Sequence, residues 1–132
     1  MGIITLIRKV IERIFIGKPV IIDGKKYYVI ETELDKVHNR GIRYYERKRY
    51  KKAIECFEKE IELDPEGNMG YEYKGLTLME LGRKEEGIKY LEKALEKARD
   101  YYKKDGGETM DKEVLDELEE ELSEAGRDAD TT

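Results

Sequence analysis

The sequence predicts a mainly α-helical protein: a short stack of helical hairpins closed by a capping helix, preceded by an amphipathic helix and a β-hairpin. Three observations predict it. From Thr32 onward, apolar residues recur at helical spacing between short breaks. Within that stretch the chain matches itself at an offset of 34 residues. Ahead of it, Asp23-Gly24 separates two β-branched and aromatic runs, the strongest short hairpin signal. The 132 residues are one domain's worth of chain. They divide into an N-terminal helix and hairpin over 1–31, a helical domain over 32–124, and a polar tail over 125–132 expected to be disordered.

Residues 3–16 put Ile3, Ile4, Leu6, Ile7, Val10, Ile11, Ile14 and Phe15 on one side of a helical wheel, with Thr5, Lys9, Glu12 and Arg13 on the other. Gly17 and Pro19 stop that helix. Residues 20–31, "VIIDGKKYYVIE", change to the period of a strand. Both faces of this ribbon are apolar, so one is expected to pack on the helices, because a lone two-stranded hairpin is marginal. Thr32 is a cap residue for a helix opening near Glu33, with Asp35 in its first turn. Helices are then expected over 33–47, 50–63, 68–81, 84–103 and 110–124. Their breaks are the basic run near Lys48, then Asp64-Pro65-Glu66-Gly67, then Gly82, then Asp105-Gly106-Gly107, with Thr109 capping the last helix.

Composition excludes several classes. The single cysteine, Cys56, rules out an internal disulfide framework and favours a reducing, cytoplasmic setting. The apolar N-terminal stretch is interrupted by Arg8, Lys9, Glu12 and Arg13, so it reads neither as a secretory signal nor as a membrane span. Lys, Glu, Ile and Tyr are abundant and Gln is absent, a balance that fits a thermophilic source. The net charge of −5 conceals an asymmetry. Residues 1–52 carry 14 Lys/Arg against 6 Asp/Glu, and residues 53–132 carry 12 against 25. Such a chain invites head-to-tail contacts or offers a basic surface to a polyanion.

The offset of 34 aligns Gly41 with Gly75, Arg49 with Arg83, Ile54 with Ile88, Glu58-Lys59 with Glu92-Lys93, and Glu62 with Glu96. Residues 34–67 supply Val37, Gly41, Tyr44, Tyr50, Ala53, Phe57 and Pro65; residues 68–101 supply Tyr71, Gly75, Leu78, Leu81-Gly82-Arg83, Gly87, Leu91 and Ala94. With these residues the sequence resembles the tetratricopeptide repeat (TPR) family, over about half the chain. It departs from the family pattern at Glu60, where a small residue is expected, and at Arg99, where the closing proline is missing. Arg40 and Lys74 stand where leucine is common. The pattern has a physical basis: Gly41, Gly75, Ala53 and Gly87 let paired helices approach, and Tyr44, Phe57, Leu78 and Leu91 fill the space between them. Two repeats are fewer than such stacks usually need, so both ends require cover. The helix at 110–124, with Met110, Val114, Leu115, Leu118 and Leu122 as its apolar stripe, suits one end.

Catalytic residues are not found, and neither metal nor cofactor is expected. His38 is the one histidine and Ser123 the one serine; no glycine-rich phosphate loop precedes a helix, and no Cys/His cluster exists. Alternating Glu and Lys along the helices is the pattern of solvated faces. Cys56 is expected to have no nearby pair of cations or histidine to mark an activated thiolate and reads as a packing residue.

The resemblance implies a non-catalytic protein-interaction module whose groove is lined by the first helix of each repeat. By position those residues are His38, Asn39, Ile42, Tyr45, Met69, Tyr73, Leu76 and Met79, edged by Asp35, Glu46, Glu72 and Glu80. Members that clamp a peptide carboxylate use Lys, Arg and Asn at such positions. Here the cations are missing, and the implied guest is an amphipathic, somewhat basic helix from a partner, from a second copy, or from residues 3–16 of the chain itself. The alternative is a nucleic-acid-associated protein. It would use the tyrosine-interleaved run of Arg40, Arg43, Arg47, Lys48, Arg49, Lys51 and Lys52 on a polyanion. Against it, Tyr44 and Tyr50 hold pattern positions and should be buried, and the domain as a whole is acidic. Membrane binding through residues 3–16 also ranks behind the peptide reading, since acidic repeats are repelled by anionic lipid.

Overall fold

A computed structural model describes residues 19–28, 30–106 and 112–130. The expected helix over 3–16 and the Thr109 cap lie outside these residues. The chain divides into two compact units, residues 1–36 and 37–132.

In the first unit, strands β1 (Pro19–Ile22) and β2 (Lys25–Tyr28) pair antiparallel, with Pro19 opposite Tyr28 and Ile22 opposite Lys25. Asp23 (φ 50°) and Gly24 (φ 75°) both take the left-handed conformation that a two-residue hairpin turn requires. Ile21, Ile22, Tyr27 and Tyr28 are 50–66 % exposed. The first helix, α1 (Glu33–Glu46), opens on a reciprocal cap. The Asp35 N–H donates to Thr32 Oγ1 at 3.2 Å, and the Thr32 N–H and hydroxyl both donate to the Asp35 carboxylate, at 2.8 and 2.6 Å.

The second unit continues with α2 (Tyr50–Leu63), α3 (Met69–Glu80), α4 (Lys84–Asp105) and α5 (Lys112–Asp130), so the described residues hold five helices. Two equivalent turns show why the helices stop where they do. After α3, Gly82 takes φ 78°, and its N–H and that of Arg83 reach back to the carbonyls of Met79 and Leu78. After α1, Lys48 takes φ 59°, and the N–H groups of Lys48 and Arg49 reach the carbonyls of Tyr45 and Tyr44. Both satisfy carbonyls at a helix end through one left-handed residue.

Close helix approach is paid for with glycine, as the repeat spacing implies. A Cβ on Gly41 would lie 2.5 Å from the Phe57 ring, and one on Gly75 would lie 2.8 Å from the Gly87 carbonyl oxygen. Phe57, Ala53, Leu78, Leu91, Ala94 and Ala98 are buried between the helices. Tyr44 and Tyr50 are half-buried rather than buried, so the burial argument against an accessible aromatic-basic run is weaker than the pattern implied.

Helix α4 runs 22 residues, past the position where the first repeat has its closing proline, and stops at Gly106 with φ 66°. Helix α5 packs on it, placing Leu118 in a cluster with Ala94, Leu95 and Ala98, flanked by Tyr71, Val114, Leu115 and Leu122. The helix continues to Asp130, and Ala125 is 3 % exposed. The expected end at Glu124 is therefore corrected: small Ala125 carries the apolar stripe beyond it.

Candidate peptide-binding face

Helices α1 and α3 carry the residues that the repeat pattern assigns to the groove. Three of them are held by packing rather than left for a guest. The His38 imidazole turns inward to Glu60 on α2, with Nδ1 2.9 and 3.1 Å from the two carboxylate oxygens. A carboxylate offers only acceptors, so Nδ1 carries the donated proton. The same ring stands edge-on to Tyr73 at 5.2 Å and tilted to Phe57 at 6.3 Å. Tyr73 in turn stacks on Phe57 at 5.4 Å. Burial, followed by the charge of Glu72 and then of Glu121, pushes the Tyr73 phenol up to about 12. Met79 lies against α4, where a Cβ on Gly87 would meet its Cγ at 2.5 Å.

The pairing also explains Glu60. A buried carboxylate stands where the pattern wants a small residue because the facing position of α1 is a histidine that can bond it. Two features that looked separate in sequence, one lone histidine and one departure from the repeat, are one interaction.

The remaining groove positions stay accessible. Ile42 and Leu76 are half-buried, Asn39 is exposed and Met69 is 40 % exposed. Tyr45 meets Tyr50 edge-on at 5.8 Å, and Glu80 is close enough for its charge to act on the Tyr45 phenol. That phenol is raised, chiefly by burial and then by the charge of Glu80. Helix α5 adds a residue that the sequence reading missed. The negative charge of Glu121 contributes to raising both the Tyr45 and the Tyr73 phenols. Its Oε2 is buried without a hydrogen-bond partner, and burial, then Glu117 and Glu124, raises its pKa. The signal was present in the helical wheel: Glu121 lies between Leu118, Leu122 and Ala125, at the border of the stripe that faces the repeats. The face is thus apolar and aromatic, bordered by Glu80 and Glu121, and none of its twelve assigned positions is Lys or Arg.

The residues considered for polyanion contact gather elsewhere. Arg40 and Arg43 on α1 and Arg47 in the turn just past its end are exposed at i, i+3, i+7 spacing. Lys48, Arg49, Tyr50, Lys51 and Lys52 line an open depression of about 460 Å³ with Leu81. Lys52 stands over the Tyr44 ring at 5.6 Å. Cys56 is half-buried with a free thiol; burial pushes its pKa up, against the pull of Arg40 and Arg43, as suits a packing residue. Among the described residues no cluster of three or more His, Cys, Asp or Glu could hold a metal, and no helix is long and apolar enough to cross a membrane.

Paired helices with glycine at their crossings, repeated at 34 residues and closed by a further helix, define a helical-hairpin repeat protein. The repeats are tetratricopeptide repeats, matched by that family over residues 37–66 and again over 71–101, so the chain contains two of them. The chain is also similar to the Protein STIP1 homolog of Dictyostelium discoideum, 32 % identical over 96 residues. That match covers 71 % of this chain and 17 % of the relative, so the chain spans about a sixth of the relative's length. The repeats indicate protein–protein interaction as the chain's role.

Proposed function

We propose that the chain is a non-catalytic binding module whose α1–α3 face holds an amphipathic helix with an apolar side and a basic flank. The observation that carries this reading is the pairing of accessible Ile42, Leu76 and Tyr45 with the carboxylates of Glu80 and Glu121. An apolar guest side gains by burial, and a Lys or Arg at its edge reaches the exposed carboxylate of Glu80, with Glu121 adding negative charge nearby. The chain's own residues 3–16 write such a helix, with Arg8, Lys9 and Arg13 beside an isoleucine-rich side. The same pattern on a second copy or on another protein presents the same chemistry.

The test is fluorescence anisotropy with the intact chain and a labelled synthetic peptide of residues 3–16. Saturable binding is expected, weakened about tenfold or more by Leu76→Asp and by Glu121→Lys, the loss expected when a central apolar anchor or a charge partner is removed. A peptide with the three cations replaced by glutamate should not bind. Binding unchanged by both protein variants would overturn the assignment to this face.

A further inference from the structure

The seam between the two hairpins shows how this chain joins one hairpin to the next. Lys74 on α3 reaches back to Glu58 on α2 at 3.0 Å, while its Nζ also donates to the Tyr90 hydroxyl at 2.9 Å and lies 4.3 Å from the centre of that ring. Its side chain is 13 % exposed. Lys97 on α4 makes a second contact toward the first hairpin, at 3.6 Å from Glu66. The seam thus places cations of the later hairpin against carboxylates of the earlier one.

Arg40 occupies in the first repeat the position that Lys74 occupies in the second, and Cys56 occupies that of Tyr90. Arg40 is exposed and makes no ion pair with any described residue. The same holds for Arg43, Arg47, Lys48, Arg49 and Lys51, and in the second repeat Lys84 and Lys89 likewise make no ion pair with any described residue, whereas Lys59, Lys74, Arg83, Lys93, Lys97 and Arg99 are ion-paired. The first hairpin therefore presents the cationic half of a seam without its acidic half.

The acidic half exists at the other end of the repeat stack. Helix α5 carries nine Asp/Glu against two Lys/Arg. Its buried side holds Leu118 and Ala125; on the opposite side Glu113, Asp116, Glu120 and Glu124 are exposed in one row. The steps from Glu113 to Asp116 to Glu120 are three and four residues, as are those from Arg40 to Arg43 to Arg47. Two exposed helical ridges of opposite charge thus have matched spacing.

We propose that these two ridges dock head to tail between copies of the chain, with α1 of one copy against the outer side of α5 of the next. The contact is heterologous, since the two surfaces differ. It therefore chains copies or closes them into a ring, rather than forming a two-fold dimer. Exposed charges supply the contact, so it weakens as salt rises.

Sedimentation velocity of the intact chain, from micromolar to millimolar protein, tests this directly. At low salt the weight-average sedimentation coefficient should climb with concentration, and high salt should return it to the monomer value. The triple variant Arg40→Glu, Arg43→Glu, Arg47→Glu should stay monomeric, as should Glu113→Lys, Asp116→Lys, Glu120→Lys. Mixing the two variants should restore association, because each then offers the charge that the other lacks. All six positions are exposed, and circular dichroism checks that the variants fold. A wild-type chain that is monomeric at low salt throughout the range overturns the proposal without recourse to any variant. So does association indifferent to the charge reversals, or a monomer whose basic ridge binds an RNA oligonucleotide instead. Peptide binding at Leu76 and Glu121 is independent of these outcomes.

Discussion

Replacing His38 by alanine withdraws the partner of the buried Glu60 carboxylate. The Glu60 side chain is 7 % exposed and that of His38 18 %, and both carboxylate oxygens lie within 3.1 Å of the one imidazole nitrogen. Removing the donor to a buried carboxylate leaves that charge unsatisfied, which costs about 3 kcal/mol or more. The reverse change strands less. Glu60→Ala leaves an imidazole, which is neutral in one of its ordinary forms and lies nearer water, and it places at position 60 the small residue that the repeat pattern favours. Its cost is that of a lost hydrogen bond to a charged group, about 1.5–3 kcal/mol at most. The double variant His38→Ala, Glu60→Ala has no stranded charge and should be more stable than His38→Ala alone, with a coupling of about 1–3 kcal/mol between neighbours. Urea unfolding followed by far-ultraviolet circular dichroism at pH 7 gives all three values. Since a domain of this size holds about 5–15 kcal/mol in total, the single change at His38 should move the midpoint visibly. The reasoning fails if His38→Ala costs no more than Glu60→Ala, or if the two costs simply add.

Other perturbations follow from local geometry. Lys48→Gly should raise stability by about 1 kcal/mol in the same unfolding assay, because φ 59° suits glycine and the equivalent turn already uses Gly82. Gly75→Ala should cost about 1–3 kcal/mol, since the new Cβ meets a backbone carbonyl oxygen at 2.8 Å, whereas Gly126→Ala, with nothing within 4 Å, should gain up to about 1 kcal/mol. Glu121→Gln should stabilise at pH 7. Burial raises the carboxyl in the fold, so its protonated form favours folding and that contribution is lost as pH rises through the folded pKa. The gain from glutamine should accordingly vanish once unfolding is measured below the ordinary carboxylate range, about pH 4. A gain that persists there would show that ionisation of Glu121 is not its source.

The helices were legible because their signals are local. Thr32 with Asp35, Asp64-Pro65 and Gly82 each fix a helix end within a few residues of themselves. The glycine and aromatic spacing encodes the helix crossings in the same way, one side chain against one missing Cβ. The site was less legible, because its details depend on which helices face each other. His38 reads as a groove residue by position, yet only the approach of α2 shows that Glu60 will claim it. Tyr73 reads as a groove aromatic, yet Phe57 and His38 hold it. Glu121 lies outside both repeats, so no repeat pattern predicts it; it joins the face because α5 packs on α4. The end of α5 was misplaced for a similar reason: alanine and glycine at 125–126 are weak signals of burial in a polar tail.

The departures from the repeat pattern carry what is particular to this chain. Glu60 replaces a small residue and is answered by His38 inside the same hairpin. Lys74 replaces a leucine and is answered by Glu58 across the seam between hairpins and by Tyr90 within its own. In both cases a polar side chain has entered a packing position, and a complementary group has entered opposite it, as burial demands. Arg40 is the third such departure and has no ion-pair answer among the described residues. Its exposure removes the immediate need for one, because a solvated guanidinium costs nothing to leave unpaired. A run of six such cations, in a chain of net charge −5 that pairs five of the seven cations of the second repeat among the described residues, suits pairing in an encounter with another molecule. The acidic row on α5 satisfies that requirement with the spacing of the basic one, so a single sequence supplies both halves of the contact.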